Sequence, residues 1–325
     1  MAHILEKETA QFIKDLEAQK GPPLYTLPIL KARKVLDDLQ AAPIEKPAVK
    51  MDDRILPCGG KKISVRIVRP ANSSKERLPV IVYYHGGGWI LGNKNTHDRL
   101  IRELASAVNA AIVFVNYTPA PDAKHTQILE EAFAALKYVA EHGKELNVDS
   151  NHLAVVGDSV GGNMAAVMCL MAKEHGLKID FQALFYPVTD ANFNTPSYKE
   201  FANGPWLTKP AMEWFWNAYA PDLADRKKPT LSPLQATVKQ LQNLPPALIV
   251  IDENDVLRDE GEAYARKLMQ AGVEVTAVRY LGTIHDFMML NALRHTPAVR
   301  SAMALATHHL QKALLGKKSE IYKIA

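Results

Sequence analysis

A serine that acts as a nucleophile needs a turn that exposes its oxygen, a base that takes its proton, and donors that receive the charge it creates. The stretch Gly157-Asp158-Ser159-Val160-Gly161-Gly162-Asn163 offers the turn. It stands between an apolar run, Leu153-Ala154-Val155-Val156, and a small-residue segment from Met164 to Met171. A strand that bends sharply into a helix lifts the serine oxygen above a sheet, and glycines two residues to either side let the two elements pass closely. The pattern alone is a weak motif, and a glycine-rich turn with an incidental serine would match it equally well. Its position between strand-like and helix-like sequence makes Ser159 the candidate nucleophile.

His85-Gly86-Gly87-Gly88-Trp89 supplies candidate donors. Three consecutive glycines let backbone N–H groups point into a cavity, which is how an oxyanion hole for acyl transfer is built, and the N–H of Val160 would be the third donor. A phosphate-cradling loop would need a following Gly-Lys-Ser/Thr, and none is present. His85 belongs to the loop that must hold the glycines still, so it reads as structural and not as the base. A base is expected late in the chain, in a turn after a strand. His285, in Leu281-Gly282-Thr283-Ile284-His285-Asp286-Phe287, has that place, whereas His295 and His308 fall in or beside helices. The carboxylate that would fix its tautomer is sought in Asp252-Glu253-Asn254-Asp255, after another strand.

These groups need a frame that gathers them. From Pro79 onward, strand-like runs (80–84, 111–115, 152–156, 181–185, 247–251 and 273–280) alternate with helical stretches. Near-continuous apolar strands alternating with helices predict an α/β fold with a mostly parallel sheet covered on both faces, its function at the carboxyl ends of the strands. Ahead of this rhythm, Pro57-Cys58-Gly59-Gly60 separates two strand-like segments, 51–56 and 61–68, as in a hairpin. Helical spacing over 4–16 and 31–42 marks an N-terminal arm. The rhythm breaks between 190 and 244, where Trp206, Trp214, Phe215, Trp216 and Tyr219 crowd among prolines with no strand pattern. An aromatic insertion there would lie over the carboxyl edge and could line a pocket. A small local core would account for each aromatic equally well.

The 325 residues, 47% hydrophobic and 23% charged with a net charge of +4, suit one large core. No basic stripe or reading motif points to nucleic acid. No apolar run spans a bilayer, and the charged first 20 residues do not read as a signal peptide, so the expected compartment is the cytoplasm. Cys58 and Cys169 sit in unlike contexts and are expected to stay unpaired. No H-E-x-x-H or C-x-x-C pattern calls for a metal, and His308-His309 reads as the exposed side of a C-terminal helix.

Taken together, His85-Gly86-Gly87-Gly88, the segment 157–163, Asp255-Val256-Leu257-Arg258-Asp259-Glu260-Gly261 and His285 with Phe287 resemble the hormone-sensitive-lipase family of α/β-hydrolase esterases. The similarity covers roughly 79–315, and the four motifs in this order are specific to that family. The resemblance implies Ser159 as nucleophile, Asp255 as acid, His285 as base, and Gly87, Gly88 and Val160 as oxyanion donors. It also implies a helical cap. The expected organisation is an N-terminal arm (1–50) forming part of the cap, a catalytic domain (51–189 and 245–325) and a cap insertion (190–244). Two positions and one stretch depart from the family pattern. Val160 stands where alanine is usual, Val256 where proline is frequent, and Tyr117-Thr118-Pro119-Ala120-Pro121-Asp122 is a loose version of Tyr-Arg-Leu-Ala-Pro-Glu. A β-branched Val160 beside the oxyanion bears on pocket shape.

The expectation is a cofactor-free serine carboxylesterase for short- to medium-chain esters, with Trp89, Trp206, Trp214 and Phe215 lining the pocket. Asp158 reads as an anchor of the turn. The alternatives are an amidase, formamidase or aryl-ester deacetylase on the same fold, and a non-catalytic binding protein, against which the presence of His285 speaks. The expected partner is a small-molecule ester, with no nucleic acid and no membrane span; a homodimer is admitted.

Overall fold

A computed structural model describes residues 3–73 and 77–316, so the outermost residues of the expected arm and catalytic domain, 1–2 and 317–325, lie outside the described residues. Eight strands form one sheet: β1 (Val49–Cys58), β2 (Lys61–Pro70), β3 (Leu78–Tyr84), β4 (Ala111–Asn116), β5 (Val148–Asp158), β6 (Phe181–Phe185), β7 (Ala247–Asn254) and β8 (Val275–Ile284). Their spatial order is β1-β2-β4-β3-β5-β6-β7-β8. β1 and β2 are the expected hairpin, antiparallel with Cys58 paired to Lys61 across Gly59-Gly60, and β2 is antiparallel to β4. All later pairings are parallel. β3, β4 and β6 carry β-branched and aromatic side chains that are buried almost throughout. Each fully buried Val, Ile or Leu contributes about 1.5–3 kcal/mol relative to exposure.

Helices cover both faces. α3 (Asp98–Val108) and α10 (Pro297–Leu315) pack together on one, while α4 (His125–Glu141) and α5 (Val160–Glu174) pack together on the other, and α9 (Arg258–Gln270) lies against β7 and β8. β3 is flanked by β4 on one side and β5 on the other, so the chain reverses its winding direction there. Such a reversal opens a crevice at the carboxyl ends of the two diverging strands. That crevice lies between the loop after β3 and the turn after β5.

Three expectations need correction. β7 runs to Asn254 and so contains Asp252, and β8 runs to Ile284, absorbing residues 281–284 that read as loop. Thr283 and Ile284 are buried there, which favours strand despite Gly282. His308 and His309 are half-buried and not exposed, with His309 stacked on Phe181 at 5.9 Å. Both cysteines are buried and unpaired.

In the arm, α1 (Lys7–Ala18) and α2 (Ile29–Gln40) fall close to the expected spans. The N–H of Glu6 donates to the carbonyl of Gly282 at 2.9 Å, which ties the arm to the end of β8. Between β6 and β7 the chain forms α6 (Pro196–Glu200), α7 (Lys209–Tyr219) and α8 (Val238–Leu241). Thr195 and Thr208 cap α6 and α7, accepting from the N–H groups of Tyr198 and Ala211, with a proline in each first turn. α7 packs on the arm at residues 24–26.

Candidate active site

The turn after β5 holds Ser159 at φ 54°, ψ −121°, a backbone conformation that costs a non-glycine residue about 1–3 kcal/mol and is kept only where the surroundings enforce it. They do so through hydrogen bonds. The N–H of Ser159 donates to Phe185 O at 2.8 Å, and its carbonyl accepts from Asn163 at 3.1 Å and Val188 at 3.2 Å. Gly161 allows the first turn of α5 to press on the end of β3, where a Cβ would lie 2.0 Å from the Tyr84 carbonyl oxygen. The Asn163 side-chain amide donates to Val188 O at 3.0 Å and to Leu231 O at 2.8 Å, binding the elbow to the segment that follows α7. Ser159 is thus the N-cap of α5, whose N-terminal partial positive charge lies at the same spot.

The β7–β8 register brings the other two groups together. Asn254 pairs with Ile284, so the next residue on each strand, Asp255 and His285, leaves the sheet side by side. His285 Nδ1 is 2.7 Å from Asp255 Oδ2, and Nε2 is 2.8 Å from Ser159 Oγ. Asp255 is fixed in turn, accepting the N–H of Leu257 on Oδ1 at 3.0 Å. Asp252 is also near, its Oδ2 4.0 Å from Nδ1, beyond hydrogen-bonding distance. It lies within the strand and is fully buried, and neither of its carboxylate oxygens has a partner among the described residues. Glu253 turns away to accept the N–H of Gly282 at 2.7 Å.

Burial would depress the protonated form of His285, but the charges of Asp255 and Asp286 outweigh it and raise the ring to about 9. Burial, reinforced by Asp255 and Asp286, drives the Asp252 carboxyl well above the usual carboxylate range. An imidazole poised between a carboxylate and a hydroxyl can take the hydroxyl proton and pass it on to a leaving group.

The glycine loop is held by Asp158 and His85, which read as structural from the sequence, together with Tyr83 and His97, which motif reading did not reach. Asp158, fully buried, accepts from the Tyr83 hydroxyl at 2.6 Å and the Gly86 N–H at 3.1 Å on Oδ1, and meets His97 Nε2 at 3.1 Å on Oδ2. Burial alone would raise this carboxyl; His97 and Tyr83 outweigh it and hold the group below its usual range. His85 stacks on Tyr117 at 4.3 Å and on Phe114 at 5.2 Å, and its Nδ1 lies 2.8 Å from the Gly86 carbonyl. Burial, with His97 nearby, lowers His85 to about 3 and keeps it neutral. Gly88 sits under Phe215, where a Cβ would come 2.0 Å from the ring. No sequence signal tied His97 or Tyr83 to the site, because they come from separate elements and converge on Asp158 only in the folded chain.

The expected pocket aromatics have distinct surroundings. Trp89 is fully buried, stacked on Tyr219 at 4.0 Å and edge-on to Trp216 at 4.9 Å, so it locks the glycine loop to α7. Trp206 donates its indole N–H to Asp286 Oδ2 at 3.0 Å and packs on Phe12 at 5.6 Å. Trp214 is half-buried beside Phe215, with ring centroids 5.0 Å apart. Ser159 is 4% exposed and His285 2%.

Among the described residues, one cluster, Asp252, Asp255 and His285, brings three metal-ligating atoms within 4.8 Å of one another. Both ring nitrogens of His285 already have a partner at 2.8 Å or less, so a metal there would displace the Asp255 or the Ser159 contact. No described helix is long and apolar enough to cross a membrane.

Residues 81–289 match the alpha/beta hydrolase fold family. The chain is 37% identical to carboxylesterase NlhH of Mycobacterium tuberculosis, over 87% of this chain and 89% of that protein. It is 33% identical to an ethyl acetate hydrolase of Pseudomonas putida, over 89% and 93%. The crystal structure of a thermostable esterase from Pseudomonas putida ECU1011 superposes with a TM-score of 0.95 at 48% identity, covering 97% of this chain and 99% of the other.

Proposed function

This chain belongs to the α/β-hydrolase esterase family and is a carboxylic ester hydrolase, and from that premise we propose the following route. Ser159 Oγ attacks the ester carbonyl while His285 Nε2 takes its proton, and Asp255 holds the ring and stabilises its charge. The oxyanion rests on the N–H groups of Gly87, Gly88 and Val160, aided by the N-terminus of α5. His285 then protonates the departing alcohol. Water, deprotonated by the same ring, releases the acyl group and restores Ser159. The observation that carries this reading is the unbroken relay from Ser159 Oγ through His285 to Asp255, with contacts of 2.8 and 2.7 Å.

Within the family we place the chain in the hormone-sensitive-lipase group, on the Gly86-Gly87-Gly88 loop and the order of its motifs. We read residues 1–50 and 190–244 together as a cap, and Trp206, Trp214 and Phe215 as pocket lining, with Trp89, expected there too, packed behind the glycine loop against Trp216 and Tyr219. Low exposure of Ser159 and a ring lying directly over Gly88 support a small closed pocket, hence short to medium acyl chains. The buried, unpaired Cys58 and Cys169 support a reducing, cytoplasmic setting. The test is hydrolysis of p-nitrophenyl esters of increasing acyl length, with Ser159→Ala as the blank and chelator present throughout. Highest kcat/KM between acetate and octanoate is expected; a maximum on emulsified long-chain esters would contradict it.

A further inference from the structure

The turn that carries His285 also carries Asp286, a buried carboxylate whose two oxygens face different neighbours. Oδ2 accepts the Trp206 indole N–H at 3.0 Å. Oδ1 is buried without a hydrogen-bond partner among the described residues and lies 3.5 Å from His285 Nε2. The backbone at Asp286 has φ 67°, and its carbonyl accepts from Met289 at 2.8 Å and Leu290 at 2.9 Å, so the side chain is held where it is. Burying a carboxylate oxygen with no hydrogen-bond partner is costly, and the charge of Asp158 adds to the cost. The cost is offset only if something charged or protic comes to that oxygen.

We propose that Asp286 is a positioning residue for the base: anchored by Trp206, it offers the Nε2–H of the protonated His285 ring a second acceptor beside Ser159 Oγ, and so stabilises the protonated ring in the resting enzyme. This rests on the reading of His285 as the base. Of the other groups around His285, Asp255 and Asp252 lie on the Nδ1 side. Asp158 is occupied by His97, Tyr83 and Gly86, and Tyr186 presents its ring at 5.1 Å in an edge-on arrangement. Asp286 meets Trp206 and His285 directly, feels the charges of Asp158 and His97, and acts in turn on Asp252, Tyr186 and Tyr83. Among the described residues, Asp286 alone of the carboxylates lies within 4 Å of Nε2. Because Trp206 also packs on Phe12, the arm and the insertion both bear on the carboxylate that faces the base.

The test is the pH profile of kcat/KM for wild type, Asp286→Asn and Trp206→Phe, measured on one soluble ester. Asparagine tolerates a positive φ and keeps an acceptor oxygen, so the first substitution removes charge with little backbone strain. Activity requires a neutral ring and rises with pH through its ionisation. In Asp286→Asn the inflection is expected to move about one unit toward acid, a roughly tenfold loss of proton affinity, with the alkaline plateau little changed. Trp206→Phe, which frees the carboxylate, should move it the same way by less. A purely structural role would lower the plateau and leave the inflection in place, and that result in either folded variant overturns the proposal. A flat wild-type profile would overturn the histidine-base reading instead.

Discussion

Buried carboxylates flank the nucleophile on two sides, and the two sides are treated in opposite ways. Asp158, at the end of β5, has both oxygens engaged by Tyr83, Gly86 and His97, and is held below its usual range. Asp252, Asp255 and Asp286, gathered at the ends of β7 and β8, include three carboxylate oxygens with no hydrogen-bond partner among the described residues. Burial raises Asp252 and Asp286 above their usual range. A satisfied network makes a rigid support, and Asp158 accordingly fixes the glycine loop. An under-compensated cluster keeps its field for whatever titrates nearby, and here that is His285. One side of the site holds backbone donors still; the other tunes a proton.

The contrast gives a ranking of substitutions. Asp255→Asn should lower kcat by about four orders of magnitude with little change in KM, because the ring loses the group that sets its tautomer. Steady-state kinetics on a variant shown folded by circular dichroism checks this. Asp158→Ala should lower kcat by about two orders of magnitude, the size of losing one oxyanion donor, since Gly86 and Tyr83 lose their acceptor and the loop drifts. An unchanged kcat there would erase the difference between the two sides.

Asp252→Asn should leave kcat within about threefold, well under 1.4 kcal/mol of barrier. Its effect belongs to stability. A carboxyl whose folded-state pKa is raised binds more protons folded than unfolded, so stability falls as pH rises above the ordinary carboxylate value. Asp252→Asn should therefore raise the thermal midpoint more at pH 8 than at pH 4. Equal shifts at both values would contradict the burial of an ionisable Asp252.

What could be read from the sequence follows from how local each constraint is. The elbow around Ser159 is legible because a sharp strand-to-helix turn demands small residues within a few positions, and the glycine loop is legible for the same reason. The parallel sheet shows in the apolar runs. β7 and β8 extend further than they read, because Asp252 and Gly282 are poor strand residues that pairing and burial override. The helices between β6 and β7 were obscured by aromatics and prolines, yet Thr195-Pro196 and Thr208-Lys209-Pro210 are helix-start signals that could have revealed them. His97 and Asp286 were not legible in their roles. Each depends on a residue from another element, His97 on Asp158 and Asp286 on Trp206, and only the folded chain brings those pairs together.

The most direct test of the site is covalent trapping. The enzyme would be incubated with a p-nitrophenyl alkylphosphonate, an ester mimic that stops at the first attack, and the modified peptide identified by mass spectrometry. The expected result is one phosphonyl group per chain, on Ser159, with release of one nitrophenolate and loss of activity in step with labelling. Inactivation with the group on any other residue, or persistent ester hydrolysis by a fully labelled Ser159, would contradict Ser159 as the nucleophile.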